Sequence, residues 1–161
     1  MKDIEFVKSQ YLKLRESLIK FLSNFDDESY FYQPTDKSNS TAWIVPHISA
    51  FEKIMIADKI SGYTFAEFIT SDDILKYKPG VDGFAFNREQ MLGKEEAIAL
   101  LQRTKEVSVR FLDDLIEESS FAKEVDPQNA VEKYLFNFSH ETEHYGQLKY
   151  LLGTWKRVTS E

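Results

Sequence analysis

An apolar stripe with a 3.6-residue period opens the chain and holds for about six turns: Ile4, Val7, Tyr11, Leu14, Leu18, Phe21, Leu22 and Phe25. A strand cannot hide such a pattern on one face, so the segment is predicted as an amphipathic helix. Lys8, Lys13, Arg15 and Lys20 are expected on its solvated side. A second stripe carries Trp43, Ile44, His47, Ile48, Phe51, Ile54, Met55 and Asp58 on one face, with Ser40 as N-cap. Pro46 inside it removes a backbone hydrogen bond and predicts a kink or a late helix start. A third stripe runs from Lys94 to Glu118 through Ala97, Ile98, Leu101, Thr104, Ser108, Phe111, Leu112 and Leu115. The fourth opens at Asp126-Pro127, an N-cap followed by proline at the first helical position, and is expected to close at Gly153.

Between the second and third stripes lie roughly 30 residues, longer than a simple turn between helices requires. A short helix is expected around residues 64–69, and "KPGVDG" is turn chemistry. Tyr77, Phe84 and Phe86 need something to pack on, so the segment reads either as a cover over one end of the core or as a lid on a pocket. No strand pattern competes. The fold class predicted is all-α, an antiparallel four-helix bundle with a long connection between its second and third helices.

At 161 residues the chain is read as a single domain, 1–161. It contains no cysteine, hence no thiolate nucleophile or thiolate metal ligand of its own. Asp and Glu number 27 against 20 Lys and Arg, a net charge of −7 that argues against nucleic acid as a partner. The opening "MKDIEFVKSQ" lacks the apolar run of a signal peptide, and no segment is apolar for 18 residues. No membrane partner and a cytoplasmic location are expected.

The stretch "HETEHYGQ", 140–147, matches two metal motifs at once. A zinc protease of the His-Glu-x-x-His type needs a further downstream ligand and a sheet edge to hold its substrate; no histidine follows His144 and no strand is predicted. A di-iron bundle needs two Glu-x-x-His pairs, whereas Ile44 and Asn137 stand three residues before His47 and His140. Geometry remains: residues four apart on a helix share a face, so His140 and His144 can share one ion. The remaining histidine of the three in the chain, His47, lies in the core-facing stripe of another helix, where it could meet the pair. Three imidazoles would leave positions open to water or substrate, as in catalytic sites. Against this stands the simpler reading of a hydrogen-bonded core histidine and an exposed pair. Glu141, about 100° round from His140, is expected to face solvent, the weak alternative being a catalytic group that orients a metal-bound water. Gln147 reads as a polar partner that supports a ligand from behind or as a polar edge residue. Gly146 would be explained by close approach of another helix or subunit.

"SNSTAWIVPHISAFEK" followed much later by "HETEHYGQLKYLLG" resembles the DinB-like (damage-inducible, YfiT-like) superfamily of metal-binding four-helix bundles, and the likeness covers nearly the whole chain in order. The bundle family is unrelated to the translesion polymerase that shares the label. The resemblance implies a metal triad of His47, His140 and His144; Pro46 departs from the apolar residue usual before the first ligand.

It further implies a metal-dependent enzyme: a low-molecular-weight-thiol S-transferase, or a related hydrolase or isomerase. The expected cofactor is one divalent ion, zinc or nickel before iron or manganese, and the expected partners are a small electrophile and a thiol cosubstrate. A homodimer is also implied. The alternative, from a different class, is a non-catalytic metal- or ligand-binding bundle acting in a stress response.

Overall fold

The structure, a computed structural model, describes residues 2–60 and 75–160. Among these residues it is helical without strands, as predicted. Helix α1 spans Lys2–Phe21 and ends in a 3-10 turn, Leu22–Asn24. The short α2, Asp27–Phe31, is capped by the Asp26 carboxylate, which accepts from the Ser29 amide. Helix α3 is Thr41–Phe51, α4 is Lys94–Ile116 and α5 is Pro127–Thr159. The expected helix at 64–69 lies outside the described residues.

Two apolar clusters make the core. One gathers Leu18, Leu22, Trp43, Ile44, Ile48, Leu101, Leu148 and Leu152; the other gathers Ile4, Val7, Tyr11, Phe51, Phe111, Leu115 and Tyr134. Their membership fixes the direction of each helix. Helices α1 and α5 run from the second cluster to the first, and α3 and α4 run from the first to the second. Side-chain pairs agree: Tyr11 meets Tyr134 and Phe21 meets Tyr145, so α1 and α5 are parallel neighbours. Lys8 pairs with Asp113 while Arg15 reaches Leu101, so α1 and α4 are antiparallel. The alternating arrangement expected from four stripes is therefore replaced by one with two parallel contacts, α1 with α5 and α3 with α4.

That correction explains the long connection. Parallel neighbours need a crossover that returns the chain to its starting end, a task no short turn can do. Ile60 belongs to the second cluster and Tyr77 to the first. From Tyr77 to Leu92 the connection lies on the first cluster, with a turn at Gly80, whose φ of +87° suits glycine.

α3 begins at Thr41 directly after Ser40, as the N-cap reading expected, and Pro46 lies inside it without delaying its start; all its residues are buried, and packing outweighs the lost hydrogen bond. Two boundaries differ from expectation. Past Phe51 the backbone widens into a π-helical segment, Glu52–Ile56. α5 runs through Gly153 to Thr159, its last turns held by Trp155 against Tyr32 at 5.2 Å.

Candidate metal centre

Between the two apolar clusters every principal helix changes chemistry. Arg15 on α1, His47 and Glu52 at the end of α3, Thr104 and Ser108 on α4, and Asn137, His140, Glu141 and His144 on α5 form a polar waist. Two distinct assemblies occupy it.

The first is the histidine group. His47 is buried in α3, and His140 and His144 are half-buried one turn apart on α5. The Nε2 atom of His140 stands 3.2 Å from that of His47 and 3.0 Å from that of His144. All three ligand atoms lie within 4.8 Å of one another. Imidazole–metal bonds of about 2.0–2.1 Å, meeting at tetrahedral or octahedral angles, separate donor nitrogens by about 2.9–3.4 Å. Both separations from His140 fall in that range, so the donor set is compatible with a single divalent ion.

The second nitrogens orient the rings. His47 Nδ1 donates to the Tyr77 carbonyl at 2.6 Å, and His144 Nδ1 donates to Gln147 Oε1 at 2.8 Å. Both contacts leave the lone pair on Nε2, the tautomer a metal requires. His140 Nδ1 is buried without a hydrogen-bond partner among the described residues, and its ring is stacked on Phe51 at 3.4 Å. Trp43 stacks on His47 at 4.5 Å and donates to the Lys76 carbonyl. Behind Trp43 lies Gly83, where a Cβ would fall 2.2 Å from the indole. The connection therefore packs directly against the first histidine.

Burial makes the three imidazoles poor bases. It lowers His47 to about 4, against the opposing hydrogen bond to Tyr77, and lowers His140 to about 3, with His144 and His47 adding to the effect. His144 is also lowered by burial, opposed by its bond to Gln147. Neutral imidazoles are the ligand form.

The second assembly surrounds Arg15, fully buried on the face expected to be solvated. Its Nε donates to Glu141 Oε1 at 2.7 Å, and Nη2 donates to Glu141 Oε2 at 2.9 Å and to Glu52 Oε2. Nη1 donates to Leu101 O at 3.1 Å and to Thr104 Oγ1 at 3.0 Å. Glu52 Oε1 accepts from Tyr11 at 2.8 Å and Ser108 at 2.5 Å, and Ser108 accepts from Tyr134. Burial opposes the charge on Arg15, but Glu141 and Glu52 outweigh it. Burial pushes the Glu141 carboxyl up against the pull of Arg15.

Two sequence expectations are corrected here. Arg15 and Glu141 are core residues, and the carboxylate oxygens of Glu141 both go to Arg15 rather than to solvent. A signal for this was present. Arg15 follows Tyr11 by four and precedes Leu18 by three, and Glu141 follows Tyr134 by seven and precedes Leu148 by seven, so both lie on the apolar faces. Gln147 is exposed, and its Oε1 accepts from His144 Nδ1. Gly146 is exposed with nothing among the described residues close to where its side chain would stand, so no described helix explains it.

The geometry defines a helical protein with a three-histidine group able to hold a metal ion. The model of the DinB superfamily matches residues 10–148, and the chain belongs to that superfamily. No curated protein and no solved structure matches it.

Proposed function

We propose that His47, His140 and His144 hold one divalent ion, zinc or nickel, and that the protein is a metal-dependent enzyme transferring a low-molecular-weight thiol to a small electrophile. The observation that carries the reading is the convergence of three Nε2 atoms, two of them with their tautomer set by acceptors behind the ring. Superfamily membership supports it, and the lack of cysteine means that the reacting sulfur comes from a cosubstrate. A divalent cation in such a site supplies Lewis acidity that lowers the pKa of a thiol. The protein's part is to keep three imidazoles neutral, to aim their Nε2 atoms at one point, and to back them with Trp43 and Phe51. In the transfer the sulfur forms a bond to the electrophilic carbon, the leaving group departs with the bonding pair, and the thiol proton is released.

We read the four principal helices as one bundle domain over 1–161, cytoplasmic, and paired as a homodimer in which the open surface at Gly146 faces another subunit. No described helix is long and apolar enough to cross a membrane.

The test loads wild type and His144→Ala with zinc or nickel and offers a thiol with monobromobimane or a haloarene. Wild type should retain the ion through gel filtration and accelerate conjugation above the free-ion rate; the variant should do neither while keeping its helical content. Equal rates for both proteins, with the ion demonstrably on wild type, would overturn the transferase and leave a non-catalytic metal-binding module.

A further inference from the structure

We infer that Arg15 is a positioning residue for the histidine group: its guanidinium, acting through Glu52 and Glu141, sets how the helices carrying His47 and the His140–His144 pair meet. The inference rests on the reading that these histidines hold an ion.

Arg15 touches all four principal segments. It projects from α1, bonds Leu101 and Thr104 of α4, grips Glu141 of α5 with two nitrogens, and binds Glu52 where α3 passes into its π-helical segment. A guanidinium has five N–H groups, and these contacts use every one. Such a fork fixes both distance and angle, which a point charge does not. Each carboxylate sits close to a candidate ligand in sequence. Glu141 directly follows His140, and Glu52 follows Phe51, whose ring stacks on His140.

Successive helical residues differ by about 100° in azimuth, so His140 and Glu141 leave α5 on two sides of one turn. A rotation of α5 that misplaces the histidine pair must also drag Glu141 from its two-point seat. The scale matters: a rotation of about 20° moves an atom 6 Å from a helix axis by about 2 Å, and a metal site tolerates about 0.5 Å. On the other side, Glu52 is locked by Tyr11 and Ser108 as well as by Arg15. Its place at the first residue of the π-helical segment turns a backbone irregularity into a defined anchor, as such segments often do at functional sites. None of these groups is among the three candidate ligands. Their effect is on where the rings stand.

The test uses the full chain with Arg15→Lys, which keeps the charge and loses the fork, and Glu141→Gln, which keeps the volume and one acceptor. Each variant is titrated with Co²⁺ against a chromophoric chelator, well below its unfolding temperature, and its visible d–d spectrum is recorded. Wild type should give a saturable one-to-one spectrum. Both variants should stay folded by circular dichroism, bind about tenfold or more weakly, and show altered band intensity, the range typical of losing support behind a ligand. If Arg15→Lys does not fold, Glu141→Gln alone decides. A folded variant with wild-type affinity and spectrum would overturn the inference. Failure of wild type itself to bind Co²⁺ would instead overturn the reading of the histidines.

Discussion

Two polar assemblies share the waist of this protein, and they are built by opposite rules. Around Arg15 every donor finds an acceptor and every carboxylate oxygen finds a donor. Around His140 the Nε2 atoms of His47 and His144 both approach His140 Nε2 at hydrogen-bond distance, while His140 Nδ1 and both amide atoms of Asn137, one turn away, have no partner among the described residues. Buried polar groups cost free energy unless satisfied, so the first assembly is a closed structural unit and the second is out of balance by itself. Saturation marks scaffold, and convergent lone pairs mark a site.

The largest effect that could break this contrast is on the scaffold. Arg15→Met strands two carboxylates in the core and should lower stability by about 3–5 kcal/mol, read from the urea midpoint. A loss under about 1 kcal/mol would mean that the ionic assembly is not a unit.

The second sharpens the contrast through pH. In the metal-free protein His47 and His140 have folded pKa values of about 4 and about 3, below the ordinary value near 6.5. The unfolded chain therefore binds more protons as pH falls, and stability is lost from about pH 6.5 down through about pH 3. Glu141 is shifted the other way, so its contribution is present at low pH and lost as pH rises. His140→Phe should flatten the acid slope measured by thermal unfolding, and Glu141→Gln, which removes an opposing contribution, should not flatten it. Parallel curves for wild type and His140→Phe would refute the assignment.

A smaller loss is expected at the support behind the site. Gly83→Ala places a methyl where Trp43 stands and should cost about 1–3 kcal/mol, with Trp43 fluorescence shifting as the ring moves. Smallest of all, Gln147→Ala removes only the acceptor on His144. It should leave unfolding within about 0.5 kcal/mol and weaken ion binding about tenfold in a chelator competition.

Much of this was legible in the sequence, and the remainder failed for definite reasons. Helix existence and the shared face of His140 and His144 followed from apolar period and i,i+4 spacing, because both depend only on local geometry; that His47 meets the pair came from the family resemblance, since a contact across 93 residues has no local signal. Helix direction did not, since an apolar face is the same whichever way a neighbour runs; only long-range pairs such as Tyr11 with Tyr134 reveal it. Arg15 and Glu141 were assigned by residue type, which says outside, when their azimuth said inside. Tyr77 supplies its carbonyl, and a backbone acceptor leaves no side-chain signature at all. Gly153 was read as a stop, yet the packing of Trp155 on Tyr32 carries α5 past it.

The stack of Gly83, Trp43 and His47 bears on when in folding the site comes into being. His140 and His144 can meet a cation in any chain whose last helix has formed, but His47 joins them across 93 residues and only with the connection docked behind it. Closing a loop that long is among the slower acts of a folding chain, because its entropy is lost before its contacts are gained. A cation taken up by all three rings therefore favours the finished fold over every partly formed one. At a free concentration a hundred times its dissociation constant it would add about 2.7 kcal/mol to the folded state, and make the melting temperature a readout of metal supply.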